Sequence, residues 1–443
     1  MIPRVVIGAT SSGAGKTTVA SGLIGALRAR GHTVQGFKVG PDFIDPSYHA
    51  LASGRPGRNL DAFLSGAELI APLFRHGAAG ADIAVIEGVM GLFDAASGQG
   101  ELASTAHVAK LLQAPVLLVI DASAMARSAA AIVHGFVSFD PEVNVAGVIF
   151  NRVGSDAHGE LLREAVAPLG IPVLGALRRD ERIVAPERHL GLVPATEREP
   201  RATEALATLA EVLAESVDVA AVERLARAAL ALPGPAWSPW ADAPAPARIG
   251  IARGPAFSFH YQENLELLAV AGAELVGFDP TIDEALPPDI GGLILAGGFP
   301  EVFGTELAAN VPLRDAVRSL AKAGRPVLAE CGGLLYLLQD LDGHAMCGVL
   351  PGRGEMAGRL TIGYREATAA TDTPWLAAGD QVRGHEFHYS SVRADGAPAW
   401  RLSARGKTRL EGIAAGSVQA SYLHVHWAAH PALPTRFAQA AAA

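Results

Sequence analysis

The sequence predicts an α/β protein made of two successive α/β domains. Three observations support this class: short β-branched runs alternate with helix-length segments, half of the 443 residues are hydrophobic, and a proline-rich stretch interrupts the alternation once. Near-continuous apolar strands separated by helices are typical of parallel sheets that are covered on both faces. We therefore expect one such sheet on each side of the interruption.

The elements follow from these runs. The strands predicted before the interruption are Val5–Ile7, Thr33–Lys38, Ile83–Ile86, Val116–Ile120, Val145–Phe150 and Leu190–Val193. The strands predicted after it are Arg248–Ala252, Glu274–Gly277, Gly292–Leu295 and Val327–Ala329. Residues 232–247 read LPGPAWSPWADAPAPA, and such repeated prolines remove backbone donors and favour extended chain. We place the first domain at residues 1–232, a linker at 233–247 and the second domain at 248–443.

The composition excludes several classes of protein. With 36 Lys+Arg against 45 Asp+Glu, the net charge of -9 gives no overall attraction to nucleic acid. The apolar runs break well before the roughly 18 residues that a membrane span needs, and the N-terminus does not resemble a secretory leader. Two cysteines, Cys331 and Cys347, fit a reducing compartment. We expect a cytoplasmic protein with neither nucleic-acid nor membrane partners.

A phosphate-binding loop follows the first strand. The segment reads GATSSGAGKTT and leads into an amphipathic helix, although Thr10 stands where the strict pattern has its first glycine. Inward backbone N–H groups and the helix N-terminus attract phosphate, a lysine reaches the terminal phosphates, and a threonine hydroxyl can ligate magnesium. The residues expected to bind ATP are Gly13, Ala14, Gly15, Lys16, Thr17 and Thr18.

Carboxylates follow two of the predicted strands. Asp42 and Asp45 come after the second strand, Glu87 closes the apolar run IAVIE, and Asp94 follows it. The carboxyl ends of parallel strands form the ligand-binding edge of such sheets, and magnesium prefers oxygen ligands. Each acid could instead cap a helix or a turn. Glu87 is the strongest candidate because its burial demands a partner, whereas Asp42 and Asp45 are not separable by sequence.

A candidate nucleophile lies in the second domain. The segment GRPVLAECGG places Cys331 between a predicted strand and the helix pattern LLYLLQDL. A turn of this kind exposes a nucleophile above the sheet, the next N–H can bind an oxyanion, and the helix N-terminus is expected to lower the thiol pKa. The alternative is a buried structural cysteine. We favour that alternative for Cys347, which lies in the strand-like run MCGVLP.

Several histidines could serve the thiol as a base. The C-terminal run SYLHVH places His424 and His426 on one face of a strand, and GHEFHYS adds His385 and His388 as rivals. A thiol nucleophile needs such a base. Metal binding by these histidines is a less favoured alternative, because zinc sites usually have more ligands at recognisable spacing. Upstream, LAGGFPE opens a buried strand into a glycine pair that suits an oxyanion hole.

These motifs together resemble one family along essentially the whole chain. The segments GATSSGAGKTTV, FKVGPDFIDPSYH, EGVMGLFD, NRVG to PERHLGLVPA, LAGGFPE, AECGG, GHEFHYS and SYLHVH occur in the order of the cobyrinic acid or hydrogenobyrinic acid a,c-diamide synthases. The resemblance implies an N-terminal P-loop NTPase domain of the dethiobiotin-synthetase type. It also implies a C-terminal class I glutamine amidotransferase domain of the cobyric-acid-synthase type.

The resemblance also implies roles for residues of the second domain. Cys331 would be the glutaminase nucleophile, His424 its base, and Gly298 and Gly332 the oxyanion-hole donors. Class I amidotransferases commonly carry a glutamate two residues after the base, where this chain has His426. We therefore expect a Cys–His dyad rather than a full triad.

In the first domain, Thr17 and Glu87 would ligate Mg²⁺ by similarity to dethiobiotin synthetase, with Asp45, or alternatively Asp42, as the third ligand. The substrate would meet Asp42, Asp45, Tyr48 and Asp94. The implied cofactors are ATP and Mg²⁺.

The implied reaction is amidation of the a and c acetate groups of a corrin polycarboxylate, with L-glutamine as nitrogen donor. The sequence leaves open whether the corrin carries cobalt and whether the enzyme is a homodimer. The nearest alternative is a cobyric acid synthase. Alternatives from other classes are a P-loop regulatory or partitioning ATPase and a ligand-binding module that lacks catalysis.

Overall fold

The computed structural model describes residues 2–96, 99–180, 182, 187–188, 191–192 and 199–443. The chain forms two compact units, Met1–Ser238 and Pro239–Ala443. The predicted α/β class is confirmed in both, because each unit is built on a largely parallel sheet with helices between its strands. Among the described residues, no helix combines the length and the apolar character that crossing a bilayer requires.

The first unit contains a seven-stranded parallel sheet with the order β3-β2-β4-β1-β5-β6-β7. Its strands are β1 Arg4–Ala9, β2 Val34–Val39, β3 Arg58–Leu60, β4 Ile83–Glu87, β5 Val116–Asp121, β6 Val145–Val153 and β7 Val173–Arg178. The central strands β1, β2 and β4 are buried throughout, as near-continuous apolar runs predict. Five of the predicted strands are thereby confirmed, each within a few residues of its expected bounds.

Helices connect these strands. They are α1 Lys16–Ala29, α2 Ile44–Ser53, α3 Ala67–Gly77, α4 Thr105–Leu111, α5 Ser128–Phe139, α6 Asp156–Val166, α7 Glu199–Ser216 and α8 Val219–Arg227. Helix α1 packs closely on α7, since a Cβ on Gly22 would come within 2.7 Å of the Leu213 side chain. Helix α7 therefore covers one face of the helix that follows the phosphate loop.

Two strands of this sheet were not predicted. β3 has only three residues, and β7, VLGALR, places a glycine and an alanine among its apolar residues, so neither is rich in the β-branched side chains that indicate a strand. The strand predicted at Leu190–Val193 lies partly outside the described residues. Its described part, Gly191–Leu192, forms β9 and pairs antiparallel with β8, Glu187–Arg188, rather than joining the parallel sheet.

The first residues of the proline-rich segment are hydrogen-bonded to the first unit. Arg75 on α3 donates hydrogen bonds to the carbonyls of Leu232, Pro233 and Pro235. The N–H of Trp237 donates to the carbonyl of Pro72, 2.9 Å away. The unit boundary between Ser238 and Pro239 falls inside this segment.

The second unit contains a six-stranded sheet with the order β11-β10-β12-β13-β21-β20. Its strands are β10 Ala247–Ala252, β11 Ala273–Phe278, β12 Gly292–Leu295, β13 Val327–Glu330, β20 Ile413–Ala415 and β21 Val418–Ser421. All neighbours are parallel except β20 and β21. The four strands predicted for this domain are confirmed, and β13 lies between β12 and β21 near the centre.

A second, mainly antiparallel sheet lies between β13 and β20 in the sequence, and it was not predicted. Its strands are β14 Asp340–Leu341, β15 His344–Ala345, β16 Gly352–Ala369, β17 Gln381–Ala394, β18 Trp400–Ala404 and β19 Lys407–Glu411, with β22 His424–Val425 added at its edge. The long pair β16 and β17 mixes exposed and buried positions without the apolar runs of a parallel strand.

The helices of the second unit are α9 Gln262–Val270, α10 Gly304–Ala309, α11 Val311–Lys322, α12 Gly332–Leu337 and α13 Ala432–Ala442. The helix expected over LLYLLQDL is shorter than its pattern suggests, because Leu338 is extended and the chain enters β14 at Asp340. Cys347 is fully buried, but it lies in an irregular segment rather than in a strand.

Candidate functional site

The phosphate loop has the backbone that its glycines predict. Gly13 and Gly15 have φ angles of 76° and 101°, a region that favours glycine. A Cβ on Gly15 would lie 2.1 Å from Nδ2 of Asn151, and that amide donates to the carbonyl of Ala14 at 2.9 Å. The end of β6 therefore supports the loop just before α1 begins at Lys16.

Lys16 is the first residue of α1, directly after the loop, and it is largely buried. Its Nζ donates to the carbonyl of Ser11 at 3.2 Å and to that of Met90. Burial and the nearby ammonium of Lys38 lower the pKa of Lys16 to about 8. The ammonium thus lies between the phosphate loop and the segment after β4.

The structure brings Thr17, Asp45 and Glu87 together. The Thr17 hydroxyl donates to Oε1 of Glu87 at 2.7 Å, and Oδ1 of Asp45 lies 3.4 Å from the same hydroxyl. Lys38 joins this group, with its Nζ 2.6 Å from Oδ2 of Asp45 and 2.8 Å from Oε1 of Glu87. His49 completes it, since Nε2 lies 2.7 Å from Oε2 of Glu87.

These contacts shift the titration of both acids. Burial alone would raise the pKa of Glu87, but the Lys38 ammonium and the hydrogen bond from His49 hold it well below its usual range. Burial and the neighbouring carboxylate of Glu87 raise the pKa of Asp45 well above its usual range. Glu87 is therefore the acid that stays ionised. Ionisation of Asp45 is disfavoured, because it would place a second negative charge beside Glu87.

Asp42 and Asp45, which the sequence could not separate, occupy different positions. The carboxylate of Asp42 accepts the N–H groups of Ile44 at 2.9 Å and Asp45 at 3.2 Å, so it caps the start of α2. Tyr48 is largely buried on α2. Asp94 accepts the N–H of Gly91 at 2.8 Å, and its charge acts on Lys16. Asp45, rather than Asp42, contacts Thr17.

The donor set beside Thr17 fits magnesium. A hydroxyl and two carboxylates are hard oxygen ligands, and Mg²⁺ characteristically takes one or two carboxylates and completes its shell with phosphate oxygens and water. In the described part of the chain, no three His, Cys, Asp or Glu side chains are grouped to hold a metal by themselves. A cation at this edge would therefore depend on oxygens from a bound nucleotide.

Cys331 occupies a strained turn at the end of β13. Its φ of 48° and ψ of −99° are rare for a residue with a side chain, and the next residue begins α12. Its N–H donates to the carbonyl of Ser421 at 2.7 Å, which fixes the turn to the end of β21. This is the strand, sharp turn and helix arrangement that places a nucleophile at the edge of a sheet.

Two glycines predicted for the oxyanion hole lie against each other. A Cβ on Gly332 would be 3.0 Å from the backbone N of Gly298, and a Cβ on Gly298 would be 2.1 Å from the carbonyl oxygen of Ala256. The glycine loop is held by hydrogen bonds from Phe259 to Gly297 and from Phe299 to Ala256, both 3.1 Å. Side chains are excluded here, so backbone groups line this part of the site.

The expected lowering of the Cys331 pKa is wrong. Burial and the carboxylate of Glu301 raise the pKa of the thiol, and the hydrogen bond from the Gly332 N–H offsets only part of this effect. Cys331 is 6% exposed, and α12 has only six residues. Loss of hydration therefore outweighs the helix terminus in the free enzyme.

Among the four histidines, His424 lies beside the glycine loop. Its Cε1 would be 2.5 Å from a Cβ on Gly297. His385 stacks on His424 with ring centroids 5.0 Å apart. His426 instead meets Tyr261 and the buried Glu263, and His388 stacks on Tyr422. His424 is thus the imidazole placed at the loop that also contacts Gly332.

Sequence reasoning missed three charged or titratable residues of these sites: Lys38, His49 and Glu330. Lys38 ends the predicted strand Thr33–Lys38, and a basic residue at the carboxyl end of a buried strand was a signal that could have been used. His49 lies in the segment FKVGPDFIDPSYH, where its spacing alone indicates no role. Glu330 directly precedes the thiol, and its Oε2 lies 3.3 Å from Nδ1 of His424.

Comparison with known proteins identifies both halves of the chain. Residues 5–193 match the family model described as CobQ/CobB/MinD/ParA nucleotide binding domain. Residues 248–432 match the model described as CobB/CobQ-like glutamine amidotransferase domain.

Curated relatives match along nearly the whole length. The hydrogenobyrinate a,c-diamide synthase of Streptomyces coelicolor is 53% identical, with 99% of this chain and 97% of the relative covered. The enzyme of the same name from Mycobacterium bovis is 50% identical, with coverage of 100% and 98%. The cobyrinate a,c-diamide synthase of Syntrophotalea carbinolica is 46% identical, with 98% of each chain covered. The chain therefore belongs to the family of the cobyrinate and hydrogenobyrinate a,c-diamide synthases.

Proposed function

We propose that this protein amidates the a and c acetate carboxylates of a corrin polycarboxylate, either cobyrinic or hydrogenobyrinic acid, at the expense of ATP and glutamine. The observation that carries this proposal is the presence of two complementary sites in one chain. A phosphate loop lies beside carboxylates in the first unit, and in the second unit the residue after the cysteine and a histidine lie against the same glycine loop.

The first unit would activate the carboxylate. A carboxylate does not react with ammonia at neutral pH, because oxide or hydroxide is a poor leaving group. Attack of the substrate oxygen on the γ-phosphorus of ATP gives an acyl phosphate and ADP, and phosphate then leaves when ammonia attacks the acyl carbon. The backbone N–H groups around Gly13 and Gly15, together with the ammonium of Lys16, would stabilise the phosphoryl oxygens during transfer.

Mg²⁺ bound with ATP would neutralise charge on the phosphates during this transfer. Thr17, Glu87 and Asp45 are the residues that would hold it, and Asp42 would act through the cap of α2. Lys38 would balance the negative charge of the two acids between which it lies.

The second unit would release ammonia from glutamine. The Cys331 thiol loses its proton to His424 and attacks the side-chain amide carbon, which forms a tetrahedral oxyanion. The N–H groups of Gly298 and Gly332 would stabilise that oxyanion. The imidazolium then protonates the leaving nitrogen, and water hydrolyses the thioester to glutamate. Each amide formed would consume one ATP, one glutamine and one water.

A direct test uses the full chain with Mg-ATP and glutamine that carries ¹⁵N in its side-chain amide. Cobyrinic acid and hydrogenobyrinic acid are supplied separately, and labelled amides are counted by mass spectrometry. Two labelled amides on either corrin are expected. Further amides would indicate a cobyric acid synthase, and ATP hydrolysis without glutamine hydrolysis or amide formation would indicate a regulatory ATPase. Either of the last two results would overturn the proposal.

A further inference from the structure

The carboxylate of Glu330 lies against the ring of His424. Oε2 of Glu330 is 3.3 Å from Nδ1 of His424, and the two side chains are 14% and 2% exposed. A carboxylate accepts hydrogen bonds, so Nδ1–H of the imidazole is the donor. In a site so poorly exposed to water, this contact is only weakly screened.

The sheet explains why these two residues meet. β13 and β21 are parallel neighbours, and Glu330 is in register with Ser421. The chain leaves β21 after Ser421 and reaches His424 at the start of β22. Glu330, the last residue of β13, therefore contacts the segment that follows β21. The next residue, Cys331, donates its N–H to the carbonyl of Ser421.

The position two residues after His424, where class I amidotransferases commonly carry a glutamate, does not provide a carboxylate in this chain. Two residues after His424 stands His426, whose Nε2 lies 3.5 Å from Oε2 of Glu263. His426 also packs on Tyr261, with ring centroids 4.8 Å apart. This second imidazole has its own acidic neighbour and cannot supply a carboxylate. The acid beside His424 comes instead from the residue that precedes the thiol.

We propose that Glu330 is a positioning residue for His424. It accepts the Nδ1–H bond, which fixes the tautomer whose Nε2 carries the lone pair. The thiol proton then passes to Nε2, and Glu330 stabilises the imidazolium without taking the proton itself. When the tetrahedral intermediate collapses, Nε2 returns the proton to the departing ammonia. The proposal rests on the glutaminase half of the proposed function. It extends the expected dyad of Cys331 and His424 to a triad in which Glu330 is the third member.

The test is the Glu330→Gln variant of the full chain, assayed for glutamine hydrolysis and for amidation with free ammonia. We expect kcat for glutamine hydrolysis to fall about 10²-fold while KM for glutamine changes less than about 3-fold, because the carboxylate acts on proton transfer and not on glutamine binding. Ammonia-dependent amidation should stay at the wild-type rate. Glu330→Asp, which keeps the charge, should recover part of the lost kcat.

Glu263→Gln is the matched control, since it neutralises a buried carboxylate beside the neighbouring histidine. An equal loss of kcat in both variants would overturn the assignment of Glu330, and so would a wild-type kcat in Glu330→Gln. A different result would overturn the proposed function itself: the wild-type enzyme would form no amide from either glutamine or ammonia.

Discussion

The ammonium of Lys38 lies 2.8 Å from Oε1 of Glu87, and these side chains are 5% and 0% exposed. The two residues occupy adjacent parallel strands, where Lys38 and Glu87 are directly in register. The same ammonium also binds Asp45. One positive charge therefore compensates two buried acids at the edge of the sheet where α1 begins.

Removal of that charge should destabilise the first unit. In Lys38→Ala, the buried carboxylates lose their counter-ion. We expect the free energy of local unfolding of β2 and β4 to fall by about 3–5 kcal/mol. Hydrogen exchange at the backbone amides of these two strands measures this free energy. Adding Glu87→Gln should restore part of the loss, because one of the unpaired charges disappears. If Lys38→Ala opens no faster than wild type, the charge compensation is refuted.

Lys16→Ala should stop amidation from either nitrogen source. The lysine is expected to stabilise transferred phosphate, so its loss should reduce the rate by roughly 10²–10³-fold even when ammonia replaces glutamine. Amide formation with saturating ammonium chloride is the measurement. Lys110→Ala is a suitable control, because Lys110 pairs with Glu101 and Asp140, and neither acid contacts Lys16 or Thr17 in the described hydrogen bonds and ion pairs. Undiminished ammonia-dependent turnover in Lys16→Ala would remove the phosphate-loop assignment.

Cys331→Ala should separate the two chemistries. Glutamine-dependent amidation should disappear because no thioester can form, while free ammonia should still support amidation. Cys347→Ala provides the comparison, since Cys347 is buried in the core of the same unit. Loss of ammonia-dependent activity in correctly folded Cys331→Ala would show that the thiol does more than generate ammonia.

The raised thiol pKa predicts a pH dependence of alkylation in the free enzyme. Because burial raises the Cys331 pKa, the thiol is protonated at neutral pH, and its thiolate fraction grows about tenfold per pH unit below the pKa. In a Cys347→Ala background, the logarithm of the iodoacetamide rate should therefore rise with a slope of about 1 from pH 7 to pH 9. A plateau within this range would contradict the raised pKa.

The choice among the histidines can be tested with single alanine variants. His424→Ala should abolish glutamine hydrolysis, since it removes the ring next to the glycine loop. His426→Ala and His385→Ala should retain measurable activity because those rings meet other partners or stack on His424. Steady-state glutaminase assays of the three purified proteins decide the matter. If only His426→Ala is inactive, His424 is not the base.

Local patterns were enough to predict the phosphate loop and the cysteine turn. In each case a buried apolar strand, a run of small residues and a helix are contiguous in sequence, so the arrangement of β1 with Lys16 and of β13 with Cys331 could be inferred. The four predicted strands of the second unit were recognisable as short apolar runs.

The remaining features depend on contacts between distant segments. Lys38 meets Glu87 and Glu330 meets His424 only through strand register, so no local spacing indicates either pair. The separation of Asp42 from Asp45 likewise depends on Thr17 of another element. The long pair β16 and β17 escaped prediction because antiparallel strands with mixed burial lack a continuous apolar signal.

The pairing of β13 with β21 also has a consequence for biosynthesis. Val327 aligns with Val418, and the entire second sheet except β22 is encoded between β13 and β20. Closing so large a loop costs entropy and delays such contacts during folding. A nascent chain that has not yet reached Ser421 would already contain Cys331. It would lack both the Ser421 carbonyl that holds the cysteine turn and the imidazole of His424. If Cys331 and His424 act as proposed, such a chain would hydrolyse no glutamine until synthesis has passed β22.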